Sequence, residues 1–400
     1  MKIGISTSVI QRGRSGVAQH VFALVRALQA HAAQHHFTLF VLEQDRPLFD
    51  FAAGRMEIVP VPERYRRPVA DIAWHQLQLP GMAARLGLDV LHVPSYRRML
   101  WRAPCARVAT IHDLAAFHVA GKYDWARMFY GRVVARQLAR QQDEIIAVSQ
   151  ATARDLARFF QLDSRKVTVI PNGLDHDRFK PAPAAGARAW AEAKGVNRPF
   201  FLYVSRLEHP GKNHLRLIEA FNQFKTRTGS DWLLVLGGSD WHGAGVIHRA
   251  VDASPHAADI RRLGFVPDAD LPRWYQAAGA MIYPSLFEGF GMPPLEAMAC
   301  GCPVASSARG ALAETLGEAA AIIEPEDTDG IAWELGRLAM DGAWRATLRA
   351  VGLKHAANYH WQRNAAATMA TYARAAASRG AHTRARCGLS ATPHAGAHLP

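Results

Sequence analysis

The sequence predicts an α/β protein built from two doubly wound domains, each with a parallel sheet covered by helices. A buried strand, a glycine-containing loop and a helix follow one another at residues 2–28, and the same order returns at residues 200–224. The length of 400 residues and the apolar content of 49% suit two or three domains with full cores. Between the two units, residues 181–196 (PAPAAGARAWAEAKGV) have the composition of a linker.

These observations place an N-terminal domain at residues 1–185 and a second domain at residues 195–360. Residues 380–400 contain too few large apolar side chains to pack, so we expect a disordered tail there. No apolar run approaches the roughly 18 residues that span a bilayer, and the N-terminus reads as a strand rather than a signal peptide. The four cysteines suit neither a disulfide framework nor a zinc site, which favours the cytoplasm.

The net charge of +13 is unevenly distributed along the chain. Residues 1–200 hold 28 Lys and Arg against 16 Asp and Glu, whereas residues 201–350 hold 13 against 18. A basic first half indicates attraction to an anionic partner, either nucleic acid or acidic lipid. A basic face that is simply solvated explains the same numbers, and the composition leaves this choice open.

The strands of the first half end in loops that carry candidate site residues. Lys2–Ser6 is followed by a loop in which Gly16 allows a close backbone approach to a ligand. A later strand ends just before His112 and Asp113. In doubly wound domains, ligands bind beyond the carboxyl ends of the strands, so both loops are expected to line a site. A His-Asp pair that caps the following segment is the structural alternative.

Residues 285–307, SLFEGFGMPPLEAMACGCPVASS, contain the strongest motif in the chain. Gly289 and Gly291 flank Phe290 in a loop where the backbone can approach a ligand closely. Two prolines then suit the first turn of a short helix that ends at Gly301. A glycine loop before a helix N-terminus is an anion-binding arrangement, because free N–H groups and the helix dipole both favour negative charge.

Two carboxylates, Glu288 and Glu296, lie on either side of this loop. Carboxylates do not bind phosphate, but they bind hydroxyl groups and grip a vicinal diol with both oxygens. A phosphate with diols on both sides describes a nucleotide-sugar.

The spacing Glu-x7-Glu around GFG, with the surrounding EGFGMPPLEAMACGCPV, resembles the signature of the retaining family 4 glycosyltransferases. The resemblance covers residues 1–376 and is most specific at residues 200–305. It implies the GT-B fold, in which two Rossmann-like domains face each other across a cleft. It also implies that a helix at residues 361–376 crosses back to pack on the first domain.

The resemblance assigns roles to residues that match the family pattern. It implies that Glu288 contacts the hydroxyls of the donor sugar and that Glu296 contacts the ribose. The amides of Gly289, Phe290 and Gly291 are then expected to hold the diphosphate together with Arg206 and Lys212.

The same resemblance places the nucleobase against Phe265 and Val266, in the sequence GFV. From the first domain, His112 is expected to contact the transferred sugar, with Asp113 and Gly16 beside it. Catalysis then requires the two domains to close on the donor.

The sequence gives no reason to expect a metal or another cofactor. The strings Asp175-His-Asp177 and Asp268-Ala-Asp270 are interpreted as caps of turns and helices. No HExxH, P-loop or Gly-x-Ser-x-Gly motif is present in the sequence. Two cations in the donor loop can neutralise a diphosphate, so no metal site is predicted.

The functional prediction is a retaining glycosyltransferase that moves a hexose to a saccharide acceptor in cell-surface polysaccharide synthesis. The resemblance to bacterial mannosyltransferases of polysaccharide assembly favours GDP-mannose as donor and a polyprenyl-diphosphate-linked acceptor at the cytoplasmic membrane face. A UDP-sugar donor is the alternative within the class. A non-catalytic basic protein that binds nucleic acid is the alternative outside it, although no aromatic residues alternate with the basic ones.

Overall fold

In the computed structural model, which describes residues 1–13, 15–119 and 128–386, the strands form two separate parallel sheets. The first sheet contains β1 (Lys2–Ser6), β2 (His36–Leu42), β3 (Glu57–Val61), β4 (Val90–Val93), β5 (Ala106–Ile111), β6 (Glu144–Ala147) and β7 (Val167–Val169). The second contains β8 (Phe200–Val204), β9 (Leu233–Gly237), β10 (Ile260–Gly264), β11 (Ala280–Tyr283), β12 (Val304–Ser306) and β13 (Ala321–Ile322). The two doubly wound domains predicted from the sequence are thereby confirmed.

Helices cover both sheets, and the central strands are buried because of it. In the first domain the α-helices are Gly16–Leu28, Pro68–Leu77, Leu79–Leu86, Arg136–Gln141 and Gln150–Asp155. A π-helical turn, Tyr130–Ala135, leads directly into Arg136–Gln141, and another, Leu156–Phe160, directly follows Gln150–Asp155. In the second they are Ala184–Ala193, His214–Thr228, Ala244–Asp252, Leu271–Ala277, Met292–Ala299, Leu312–Leu316, Thr328–Met340 and Gly342–Ala356, and the chain then continues into Trp361–Arg386. Strand β5 is buried along its whole length, as expected of a parallel strand with helices on both faces.

The strand order reverses once in each sheet, and these reversals locate the ligand-binding edges. The orders are β3-β2-β1-β4-β5-β6-β7 and β10-β9-β8-β11-β12-β13. In the first sheet Ile3 pairs with both Phe37 and Val90, so the reversal lies between β1 and β4. In the second it lies between β8 and β11, where Phe201 pairs with Ala280. Ligands of doubly wound domains bind at such reversals, beyond the carboxyl ends of the strands.

The closing helix Trp361–Arg386 packs on the first domain, which confirms the predicted crossing. Its buried side chains recur every three or four residues and enter the first core; they are Trp361, Ala365, Met369, Tyr372 and Ala375. One polar contact lies inside this interface, because the Tyr372 hydroxyl is 2.7 Å from His92 Nδ1. The second domain is therefore anchored to the first by a helix that belongs to the first core.

Two sequence expectations are corrected. The segment expected to be a linker folds as the helix Ala184–Ala193, and Trp190 packs edge-on against Trp274 with the ring centroids 5.0 Å apart. The closing helix runs to Arg386, ten residues beyond the expected end, so the prediction of disorder is wrong for residues 380–386. The rest of the expected tail, residues 387–400, lies outside the described residues. Alanine is abundant in both segments, and its high helix propensity explains both corrections.

Within the described residues, no helix is both long and apolar enough to cross a bilayer. Cys105, Cys300 and Cys302 are buried free thiols, and burial raises the pKa of each of them.

The contact between Tyr372 and His92 generates a stability prediction. Replacement of Tyr372 by Phe removes the hydroxyl and leaves His92 Nδ1 buried without its partner, which costs about 1–3 kcal/mol of unfolding free energy. Chemical denaturation measures this difference. Met369→Leu on the same helix conserves volume and is the control, expected to cost less than about 1.5 kcal/mol. Equal stability of Tyr372→Phe and the wild type would contradict the anchoring role of this contact.

Candidate active site

The candidate site lies where the carboxyl ends of the two sheets face each other. The loops after β8 and β11 supply Arg206, Lys212 and residues 288–291 from the second domain, and the loop after β5 supplies His112 from the first. The two sides touch directly, since a Cβ added to Gly289 would lie 1.8 Å from the His112 carbonyl oxygen. The structure therefore brings the His112 loop of the first domain against the glycine loop that follows Glu288.

The glycine loop has the local structure that its sequence predicts. Gly291 has φ of +98°, a conformation that side chains disfavour, and it immediately precedes the helix Met292–Ala299. Two prolines occupy the first turn of that helix, where a missing N–H costs nothing. Phe290 is buried and packs edge-on against Tyr359, so its side chain supports the loop. A glycine loop before a helix N-terminus is the local structure that the sequence analysis expected for an anion site.

Glu288 is held by two donors inside the cleft. Lys212 Nζ lies 2.5 Å from Glu288 Oε1, and the Tyr283 hydroxyl donates to the same oxygen at 2.9 Å. Both charged side chains of the pair are only 14% exposed. Tyr203 supports Lys212 from below by donating its hydroxyl to the Lys212 carbonyl at 2.6 Å. Lys212, which the sequence assigned to the diphosphate, thus also fixes the carboxylate assigned to the sugar.

Glu296 lies in the helix after the glycine loop and is partly buried. Tyr275 donates its hydroxyl to Glu296 Oε2 at 3.1 Å. Burial raises the pKa of Glu296 to about 7, with Arg178 opposing the shift through its positive charge. This carboxyl therefore changes its charge near neutral pH, unlike an ordinary surface glutamate.

Arg206 is next in sequence to Leu207, which lines a cleft of about 500 Å³ at the ends of β9 and β10. Its guanidinium lies 4.5 Å from the centroid of the Trp241 ring, in a cation–π contact. Phe265 is 57% exposed and lines this cleft, whereas Val266 is turned inward and packs near Gly237. Of the two residues predicted to meet a nucleobase, the structure therefore places the side chain of Phe265 in the cleft.

His112 presents a bare ring nitrogen at the interface between the domains. Its ring donates a hydrogen bond to the Pro94 carbonyl, and Nε2 is buried without a hydrogen-bond partner among the described residues. The donating nitrogen must then be Nδ1, so Nε2 carries a lone pair. Burial lowers the pKa of His112 to about 4, which keeps the ring neutral at physiological pH. The arrangement can accept a hydrogen bond from a ligand hydroxyl.

Asp113 and Gly16 have mainly structural contacts. Asp113 Oδ1 accepts a hydrogen bond from the Ala115 amide at 3.0 Å, which is the capping alternative considered for the His-Asp pair. Its Cβ also lies beside Gly289. Gly16 begins the helix Gly16–Leu28, and Ser15 caps that helix by accepting from the Ala18 amide. A Cβ on Gly16 would meet nothing within 4 Å, which leaves open space on its cleft side.

Sequence analysis missed the tyrosines that hold the two glutamates. Tyr283 ends β11, and Tyr275 lies in the preceding helix; both are fully buried with a pKa raised well above the ordinary value, so they remain neutral donors. A tyrosine within an apolar strand is a signal that can be recognised, because a buried hydroxyl needs a partner. The identity of that partner depends on tertiary packing.

The paired aspartates do not gather as metal ligands. Asp175 caps a turn through the amides of Asp177 and Arg178. Asp268 instead reaches across the cleft, where Gln19 of the first domain donates to its carboxylate at 3.0 Å. Across residues 1–13, 15–119 and 128–386, no group of three His, Cys, Asp or Glu side chains is arranged to hold a metal ion.

Two family models match the chain, one on each domain. Glycosyltransferase Family 4 matches residues 14–178, and Glycosyl transferases group 1 matches residues 188–354. The O-antigen chain mannosyltransferase B of Escherichia coli is 29% identical over 265 residues, 66% of this chain and 69% of that protein. A D-inositol 3-phosphate glycosyltransferase of Xylanimonas cellulosilytica is 31% identical over 257 residues, 61% of this chain and 60% of that protein. The match therefore spans about two thirds or less of these curated relatives.

Solved structures share the architecture at lower sequence identity. Anabaena HepE in complex with UDP-glucose has a TM-score of 0.74 at 19% identity, covering 93% of this chain and 100% of that one. Sucrose-phosphate synthase from Thermosynechococcus elongatus has a TM-score of 0.72 at 22% identity, with 98% and 100% covered. These likenesses establish the GT-B fold. With a family model matched on each of its two facing domains, the chain belongs to the family 4 glycosyltransferases, and it is similar to bacterial mannosyltransferases.

Proposed function

We propose that this glycosyltransferase retains the anomeric configuration while moving a hexose, with mannose from GDP-mannose as the first choice, to a saccharide acceptor. The observation that carries the proposal is that the Lys212–Glu288 pair lies beside a glycine loop whose Gly289 touches the carbonyl of His112 in the first domain. A cation and a hydroxyl-binding carboxylate at one point suit the junction between a diphosphate and a sugar.

In this proposal the diphosphate lies on the amides of residues 289–291 at the helix N-terminus. Arg206 and Lys212 then face its two phosphates. Lys212 has three N–H donors, so it can keep its bond to Glu288 while another N–H binds a phosphate oxygen. Negative charge grows on the departing diphosphate in the transition state, and fixed donors that bind it there accelerate the reaction.

Retention follows if the acceptor hydroxyl attacks the anomeric carbon from the face that the diphosphate leaves. The bond from that carbon to the phosphate oxygen breaks, the bond to the acceptor oxygen forms, and the departing phosphate takes the acceptor proton. Glu288 is bound by Lys212 and Tyr283, which suits hydroxyl binding better than nucleophilic attack. No metal or other cofactor enters the proposal, because two cations already face the diphosphate.

The mannose preference rests on relatives. The Escherichia coli protein is named an O-antigen chain mannosyltransferase, and a Mycolicibacterium hassiacum relative at 28% identity is named an MMP alpha-(1->4)-mannosyltransferase. HepE binds UDP-glucose in its crystal structure, and this supports a UDP-sugar as the alternative donor. A saccharide carried on a polyprenyl diphosphate is the proposed acceptor.

The donor proposal is tested by measuring nucleoside diphosphate release from GDP-mannose, UDP-glucose and UDP-N-acetylglucosamine, with and without acceptor. Acceptor-dependent release is expected with GDP-mannose. Glu288→Gln should lower kcat about 100-fold, because it weakens binding of the reacting sugar, while Glu318→Gln on the surface is the matched control. Turnover with UDP-sugars alone would contradict the mannose assignment.

Tight, salt-sensitive nucleic-acid binding that survives Glu288→Ala, without turnover, would favour the non-catalytic alternative.

Glu296 generates a prediction of pH dependence. Its raised pKa of about 7 means that the carboxylate that binds the ribose diol is present above pH 7 and lost below it. The KM for the nucleotide-sugar is therefore expected to rise as pH falls from 8 to 6, by up to about tenfold per pH unit at the acidic end. The donor diphosphate is a diester without a titration in this range. Glu296→Gln should have a higher KM that no longer varies with pH, and a pH-independent KM in the wild type would contradict the ribose role.

We also propose that the first domain docks on an anionic membrane surface at the cytoplasmic face. The exposed face of the helix Pro68–Leu77 is an apolar stripe at helical spacing, with Val69 81% and Leu77 79% exposed and Ala73 between them. The Trp101 amide donates to Gln76 Oε1, which places the 45% exposed Trp101 next to this stripe. Apolar side chains with aromatic neighbours suit insertion at a lipid interface.

The charges around this stripe complement acidic lipid. Arg66 pairs with Glu63 and Asp45, and Arg98 pairs with Asp71. Exposed arginines that form no ion pair within the described residues surround the helix; they are Arg64, Arg67 and Arg102. Each such arginine near an acidic surface contributes about 1 kcal/mol.

Sedimentation with vesicles tests the docking proposal. The protein is expected to bind vesicles that contain phosphatidylglycerol and not those of phosphatidylcholine alone, with binding lost at high salt. The double variant Val69→Ser and Leu77→Ser should lower the vesicle affinity at least tenfold, because it removes the inserted apolar area. Met340→Ser, at an equally exposed apolar residue of the second domain, is the control. Unchanged affinity of the double variant would contradict this surface.

A further inference from the structure

A second buried histidine, His20, contacts the ring of His112, although the proposed reaction has given it no role. The two ring centroids are 4.6 Å apart and the ring planes meet at 82°, so one ring lies edge-on to the other. His20 is located in the helix Gly16–Leu28 and is 5% exposed. The orientation of His112 is therefore limited on one side by the Pro94 carbonyl and on the other by His20.

The protonation state of His20 is set by one neighbour. His20 Nδ1 lies 2.9 Å from Asn172 Oδ1, and an amide oxygen can only accept, so the proton is on Nδ1. His20 Nε2 is buried and has no hydrogen-bond partner among the described residues. Burial and the proximity of His112 lower the pKa of His20 to about 3, so the ring is neutral. Because residue 172 is an asparagine and not an aspartate, no negative charge beside His20 favours protonation of its ring.

Asn172 and the other neighbour of His20, Trp361, lie on the two segments where the chain passes between domains. Leu174 forms a β-bridge with His360, and a Cβ added to Gly173 would lie 2.2 Å from the Trp361 nitrogen. The Trp361 ring centroid is 5.4 Å from that of His20. His20 is thus held by the closely packed crossing between the domains rather than by a surface loop.

We propose that His20 is a positioning residue for His112: kept as a neutral ring by Asn172, it fixes the ring plane of His112 so that Nε2 faces the transferred sugar. This inference rests on the proposed function, in which His112 contacts that sugar. The neutrality of His20 matters because the sugar becomes positively charged in the transition state of glycosyl transfer. A positive charge fixed on His20 would repel the charge that develops on the sugar. Because the cluster is buried, water would screen this repulsion poorly.

The titratable groups that face His20 are also neutral. His112 lies on one side, and His92 of β4 lies on the other, held between the Tyr372 hydroxyl at 2.7 Å and Thr110 Oγ1 at 2.8 Å. Burial lowers the pKa of His92 to about 3. Because these rings are neutral, the effect of protonating His20 can be measured against an uncharged background.

The variant Asn172→Asp introduces a carboxylate that forms an ion pair with His20 once the ring is protonated, and the protonated ring is the member of that pair that contacts His112. A carboxylate at 172 raises the pKa of His20, so the ring becomes protonated as pH falls, whereas in the wild type it stays neutral. At saturating donor and acceptor, we expect wild-type kcat to show no titration of His20 between pH 5.5 and 8. In Asn172→Asp, kcat should fall at least tenfold from pH 8 to 5.5 and approach the wild-type value at pH 8. Recovery at pH 8 separates titration from a folding defect.

The double variant His20→Phe with Asn172→Asp is the matched control. It keeps an edge-on aromatic ring but has no imidazole to titrate, so the acidic decrease in kcat should disappear. Absence of that decrease in Asn172→Asp, or its persistence in the double variant, would overturn the proposal. The donor is the nucleotide-sugar that the wild type turns over in the release screen. A wild type inactive with every nucleotide-sugar would refute the proposed function instead.

Discussion

The contact between Gly289 and the His112 carbonyl is the constraint on which the rest of the site depends. A side chain at position 289 would overlap the first domain, so the glycine allows the two sheet edges to meet. Other contacts cross the same cleft, including the bond between Gln19 and Asp268. The Glu314 carboxylate also accepts from the amides of Gln150 and Ala151 at 2.6 and 3.1 Å. Neither domain holds a complete site, and the packing that joins them is therefore part of the chemistry.

The ionisable groups at the centre of the candidate site are either paired or neutral. Lys212 and Glu288 neutralise each other, the tyrosines behind them are neutral donors, and His112 is neutral through burial. Since buried charges are costly unless they are paired, this pairing lowers the cost of holding both groups inside the cleft. Arg206 remains at the rim with its guanidinium on Trp241, where it can meet an arriving phosphate. In the proposed function, the donor is then attracted by a few groups near the cleft rather than by the net charge of the whole domain.

The sequence predicted the strands, the glycine loop and the halves of the site because these depend on local pattern. Strands before glycine loops are readable from apolar runs, and the Glu-x7-Glu motif places both carboxylates within one loop and helix. The helix Ala184–Ala193 was not predicted, because the prolines and glycines of the segment favour a loop although its alanines favour a helix. Tyr283 and His20 were missed as site supports for a different reason. Tyr283 lies five residues before Glu288, but the two meet only through the conformation of the loop between them, whereas Asn172, the partner of His20, is 152 residues away in the sequence.

The uneven charge distribution along the chain fits a difference between the two domains in how each would attract its proposed ligand. Residues 201–350 hold 18 acidic residues against 13 basic ones, yet this part must hold a diphosphate. A surplus of basic residues is not needed there, because amides at a helix N-terminus and two placed cations act at short range, where Coulomb interactions are strong. The basic surplus lies in the first domain, where long-range attraction is useful for a partner that is large and anionic. In the proposed function, binding the donor by local geometry and attracting the acceptor by a charged surface are compatible in one chain, because the two effects act over different distances.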